Sequence, residues 1–118
     1  MPVIEPIFTK QEIKIAKVIA NYNHISLEKL HHYALHLGFW SCDEGRSAWI
    51  KESIPLITND PEEPIKNPIK LEEWEFISVV SYSHEYGVRQ HEFVRAAIIK
   101  VIKITRFLDL WAFDTNQL

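Results

Sequence analysis

Residues 89–113 read RQHEFVRAAIIKVIKITRFLDLWAF and follow a breaking glycine at Gly87. As a helix, this run of about 25 residues spans roughly 37 Å at 1.5 Å per residue. Phe93, Val94, Ala97, Ile98, Val101, Ile104, Leu108 and Trp111 recur at helical spacing and make one broad apolar face. On the other side Ile99, Ile102, Phe107 and Leu110 alternate with Arg95, Lys103 and Arg106. A helix apolar on nearly all sides is central in its bundle or covered by another chain. It is not expected to span a membrane: Arg95, Lys100, Lys103, Arg106 and Asp109 interrupt it. A central charge costs about 2–3 kcal/mol in a bilayer.

Upstream, Pro55, Pro61, Pro64 and Pro68 rule out a long regular element over 55–69. Asp60-Pro61-Glu62-Glu63 fits a single helical turn with proline at its first position, and Asn67-Pro68 repeats the signal. A fourth helix is therefore expected from Asn67-Pro68 through Trp74, Ile77, Val80 and Ser81 to about Tyr86. Residues 76–82 are rich enough in β-branched and aromatic side chains for a strand, but no hairpin partner is visible, and helix is preferred.

The first helix opens at Thr9 with Glu12 three residues on, a capping box, and runs to about Asn23. Lys10, Lys14, Lys17 and Asn21 occupy one narrow strip. Ile13, Ile15, Ala16, Val18, Ile19, Ala20 and Tyr22 cover the rest, so well over half of the circumference is expected to be buried. Ser26 caps a second helix ending at Leu37, with Gly38 as its left-handed stop. A third runs from about Cys42 or Asp43 to Ser53 and ends before Pro55. The expected fold is an all-α, compact bundle of about five helices in one domain over 1–118. A Pro-rich loop, 55–69, lies between helices three and four. Three glycines in 118 residues support it, since hairpins consume glycine at their turns.

With 47 % hydrophobic and 25 % charged residues the composition is that of an ordinary globular chain. Cys42 stands alone and no leader-like segment opens the sequence, which points to a reducing, cytoplasmic compartment. A net charge of −3 argues against nucleic acid as the main partner, because a basic field supplies most of that affinity.

Six histidines are many for this length. Glu28, His32 and His36 stack at i, i+4, i+8 on one helical face, the pattern closest to a three-ligand metal site. They lie opposite the expected core and HExxH is absent, so a solvated face without metal is expected. Cys42 is followed by Asp43 and Glu44, which disfavour a thiolate, and it reads as structural. Helices two and three around Gly38 sketch a helix-turn-helix offering Arg46, Ser47 and Lys51 to bases. Asp43, Glu44 and Glu52 on the same segment would repel phosphate.

Lys10, Lys14 and Lys17 form one basic strip, and Arg95, Lys103 and Arg106 a second. Trp49, Trp74 and Trp111 sit at core spacing, while Phe39-Trp40 falls in a loop past Gly38. The function expected is a non-enzymatic protein-binding domain without cofactor, of an inhibitor, immunity or adaptor type. Asp60, Glu62 and Glu63 would meet a basic protein. Ile99, Ile102, Arg106 and Leu110, with surplus apolar surface on helices one and five, would pair two copies into a homodimer. The alternatives are a helix-turn-helix DNA-binding regulator and a metal-dependent enzyme using surface His and Glu.

Overall fold

The computed structural model describes residues 1–56 and 63–117, with side chains up to residue 104. Two-residue strands β1 (Val3–Ile4) and β2 (Ile7–Phe8) precede helices α1 (Lys10–Tyr22), α2 (Leu27–Asp43) and α3 (Ala48–Ser53). Strands β3 (Ile65–Lys66) and β4 (Ile69–Lys70) lead into α4 (Glu73–Tyr86) and α5 (Gln90–Gln117). The class is mostly helical, with two small antiparallel pairings. No helix among the described residues is long and apolar enough to cross a membrane.

Helix α5 is the centre. It packs against α1, α2, α3 and α4. Phe93, Val94, Ala96, Ala97, Ile98, Ile99, Val101 and Ile102 are all buried within the one chain. Both sides of its apolar surface therefore have neighbours inside the bundle, including Ile99 and Ile102, which spacing assigns to a dimer contact. Over the described residues, the first of the two explanations for an all-round apolar helix holds.

Gly38 does not stop the second helix; α2 runs through it to Asp43. A Cβ there would meet Trp49 Cη2 at 3.1 Å and Ala97 Cβ at 3.2 Å, so the missing side chain lets α2 approach α3 and α5. The stop is Gly45, at φ 76°. Arg46 N–H donates to Ser41 O (2.8 Å) and Gly45 N–H to Cys42 O (3.0 Å), the paired bonds of a Schellman ending. The third helix shrinks to Ala48–Ser53, and Phe39 and Trp40 are helical rather than in a loop.

The strands were not foreseen. Residues 3–8 run antiparallel to 65–70, with Ile4 opposite Ile69 and Phe8 opposite Ile65. Pro2 and Pro6 still accept, from Leu71 N–H and Asn67 N–H, at 2.9 Å each. Proline has no N–H to offer a ladder, which breaks the ribbon into two-residue pieces. This pairing takes Asn67-Pro68 out of contention as a helix start, and α4 opens instead at Glu72, six residues before Ser78. Residues 76–82 are helical within it. The turn expected at 60–63 lies outside the described residues except for Glu63.

Helix α1 matches its expected bounds, and its capping box forms. It buries a narrower stripe than its composition suggests: Val18 is 62 % and Tyr22 56 % exposed. Lys10, Lys14 and Lys17 are exposed as expected. Arg95 is not part of a basic strip. It is buried and bound bidentately by Glu12 through two contacts of 2.8 Å. Its remaining N–H groups reach Ile7 O, Ile54 O and Pro55 O, tying the strand segment and the end of α3 to α5.

Candidate functional site

The chemistry-bearing cluster of the described residues lies where α2 meets α4. Ser26 caps α2 through Lys29 N–H, and the helical spacing puts His32 and His36 one turn apart. Across from them, Glu72 and Glu75 form the capping box of α4. Glu75 Oε1 accepts from Glu72 N–H at 2.7 Å. Its other oxygen, Oε2, lies 2.7 Å from His32 Nδ1 and 2.7 Å from His36 Nε2. Glu75 is buried at 1 % side-chain exposure, against 23 % for His32 and 47 % for His36. The carboxylate is thus fixed, and the imidazoles form its solvent-facing cover.

Burial pushes the Glu75 carboxyl up, but hydrogen bonds from His32, the Glu72 backbone and His36 outweigh it and hold the pKa below normal. Aromatic rings frame the cluster. His36 lies 4.9 Å from the Trp74 ring and 6.3 Å from Phe39, and Phe39 stacks on Tyr82 and Phe93 at 5.6 and 6.1 Å. Tyr82 also donates a hydrogen bond to Asp43, a second tie between α4 and α2.

The cluster differs from the one that spacing suggests. Glu28 is exposed and takes no part in it. The carboxylate comes from Glu75, 39 residues beyond His36. His32 is half-buried rather than solvated. The capping pattern Glu72-x-x-Glu75 marks a helix start in the sequence, but no local signal shows that Glu75 faces α2. Neighbouring His31 turns the other way: it is buried, stacks on Phe8, and burial, aided by His32, lowers its pKa to about 4.

Of the other positions singled out, Cys42 is buried. Burial raises its pKa; a Tyr86 hydrogen bond and Lys100 act against this, the Asp43 and Glu85 charges with it. That suits a structural thiol. Arg46 and Ser47 lie in the turn before α3, and only Lys51 of the three base-reading candidates is helical. Glu63 is exposed, while Asp60, Glu62 and the side chains of Arg106 and Leu110 lie outside the described residues. Ile99 and Ile102 are core.

Besides Tyr22 on α1, the exposed aromatic side chains of the described helices lie on α2 and α4. Tyr33 and Trp40 are each 56 % exposed, on the α2 face that carries His36. On α4, Trp74 beside His36 and Ile77 one turn on are 53 % and 60 % exposed. Trp74 is therefore not the core residue its spacing suggests, whereas Trp49 is buried. Comparison with known proteins finds no matching family, no matching curated protein and no matching solved structure.

Proposed function

We propose that this chain is a non-enzymatic binding domain for a basic protein, and that it docks through the outward face of α2 and α4. One observation carries the reading: Tyr33, Trp40, Trp74 and Ile77 stand more than half exposed on that face. Tyrosine and tryptophan are the side chains that most often anchor protein interfaces, and monomers rarely leave such surface uncovered without use. The surrounding charge favours a basic partner. Glu28, Asp43, Glu44, Glu72, Glu73 and Glu85 are exposed on or beside these helices. Against them stand Lys29, the one lysine of α2, and Arg46 just past its end, whose guanidinium lies 6.0 Å from the Trp40 ring; α4 has no lysine or arginine. The chain as a whole carries the same sign, with a net charge of −3.

A second copy is the poorer occupant, because an acidic face repels itself. The two α5 residues with described side chains that pointed to a dimer, Ile99 and Ile102, are filled positions of the chain's own core.

The test is chemical cross-linking and quantitative capture from the native host with wild type, a Trp40→Ala/Ile77→Ala variant and a Val18→Ala control. A single basic protein should cross-link to α2 or α4, be captured by wild type and control, and be largely lost with the double variant. Equal capture by all three, or a homodimer by light scattering that the double variant dissolves, would sink the basic-partner reading.

A further inference from the structure

His32, His36 and Glu75 bring two imidazole nitrogens and one carboxylate oxygen together, with no two of these atoms more than 4.8 Å apart. The donor set suits zinc and its neighbours in the first transition row; magnesium and calcium demand oxygen ligands and more of them. On a tetrahedral zinc with bonds of 2.0–2.2 Å, ligand atoms stand about 3.3 Å apart. The two N···O contacts of 2.7 Å must open by about half an ångström to reach that spacing, with the His–His separation adjusting alongside. Both imidazoles make the adjustment, His36 with its half-exposed ring and His32 with its partly exposed one. Glu75 need not move, because Glu72 N–H holds its other oxygen.

Outer hydrogen bonds of this kind orient metal ligands and are part of a working site. Binding an ion requires each imidazole to shift its hydrogen from the nitrogen that donates to Glu75 to the ring nitrogen away from it, the tautomer that frees the facing lone pair.

A purely structural role for a buried carboxylate looks different in this same chain. Glu12 is closed off by the bidentate guanidinium of Arg95, beneath the surface. Glu75 instead ends at two metal-competent side chains that reach solvent.

We propose that His32 Nδ1, His36 Nε2 and Glu75 Oε2 bind one divalent transition-metal ion of the zinc class, with a fourth position left for water. The site joins α2 to α4 and its ligands come from both helices, so the ion also clamps the two together. It rests on the ligand geometry and not on the docking face.

The metal-free full chain is titrated with zinc by calorimetry, and with cobalt in the visible range. Wild type should bind one zinc per chain with a dissociation constant of about 1 µM or lower, and cobalt should give the intense bands of a tetrahedral site. His36→Ala, at an exposed position, should weaken zinc by at least about tenfold. The control His84→Ala/His91→Ala, outside the cluster, should bind as wild type does, as should Trp40→Ala/Ile77→Ala, which separates this site from the docking face. Circular dichroism verifies that each variant folds, and the cobalt spectrum of the unaltered chain decides independently if His36→Ala does not. Zinc binding no tighter in wild type than in His36→Ala, zinc binding that is lost in the His84/His91 control, or a six-coordinate cobalt spectrum would overturn the assignment.

Discussion

Two glutamates in this chain do the same local job and face opposite fates. Glu12 and Glu75 each occupy the third position of a helix and accept from the backbone N–H of the residue that caps it, at 2.8 and 2.7 Å. Each is buried, at 0 % and 1 % exposure. Their second partners differ. Glu12 meets Arg95, a permanent cation whose planar fork matches the carboxylate and whose other N–H groups go to three backbone carbonyls. Every polar group there is consumed, and the pair holds α1, α5 and the strand segment together. Glu75 meets two histidines that expose part of their rings and whose facing nitrogens can exchange the hydrogen they share with the carboxylate for a metal ion. One capping motif thus serves as a rivet in one place and as one wall of an open site in the other.

The sharpest way to break the contrast is Arg95→Met. It leaves Glu12 buried without its cation and should cost about 3–5 kcal/mol in urea unfolding, the usual penalty for orphaning one half of a buried pair. Glu12→Gln should cost less than Arg95→Met, and the double variant less than the sum of the two singles. A loss under about 1 kcal/mol for Arg95→Met would remove the rivet from the account.

Adjacent residues divide between the two regions, and pH separates them. His31 points toward Phe8, whose ring also lies 5.6 Å from the Arg95 guanidinium, while His32 points toward Glu75. The folded chain keeps His31 neutral down to about pH 4, whereas the unfolded chain protonates it near 6.5. The unfolded state therefore binds more protons as pH falls from 6.5 toward 4. Stability contributed by this group is complete above that window and is lost across it, by up to roughly 3 kcal/mol at 1.36 kcal/mol per pH unit. Glu75 adds its own loss only at lower pH, since its carboxyl is held below the ordinary 4.5. Unfolding measured with chelator across pH 7 to 4 should show the slope, and His31→Phe should flatten it. An unchanged slope in His31→Phe would assign the acid sensitivity elsewhere.

Helix α2 carries both regions, so its seating against α5 matters to each. Gly38→Ala should destabilise by about 1–3 kcal/mol through overpacking against Trp49 and Ala97. At an exposed helical glycine the same change would stabilise by up to about 1 kcal/mol. Stabilisation by Gly38→Ala would show that the contact relaxes freely. The smallest effect belongs to the outer face of α4: Ile77→Gln should change stability by no more than about 0.5 kcal/mol, as expected of a side chain 60 % exposed. A larger loss would mean that Ile77 packs within the chain and is not held ready for a partner.

Local chemistry was readable where the deciding interaction is local. The Thr9–Glu12 capping box, the Ser26 cap, the Gly87 break and the helical character of 76–82 follow from residues within a turn of one another. The central place of the 89–113 segment up to residue 104, where its side chains are described, was readable too, as one of two options, because an all-round apolar helix must be covered by something.

Tertiary contact decided the rest. Gly38 looked like a stop because glycine commonly ends helices, yet here it permits a close approach to Trp49 and Ala97, residues far from it in the chain. Two-residue strands have no period to detect, and only the pairing of 3–8 with 65–70 creates them. Arg95 read as a surface cation until Glu12, 83 residues away, closed on it. The metal-competent cluster divides in the same way. The spacing of His32 and His36 is a property of one helix and stands in the sequence. Its carboxylate does not, because Glu28 and Glu75 are chemically alike, and only the packing of α4 on α2 decides which of them reaches the imidazoles.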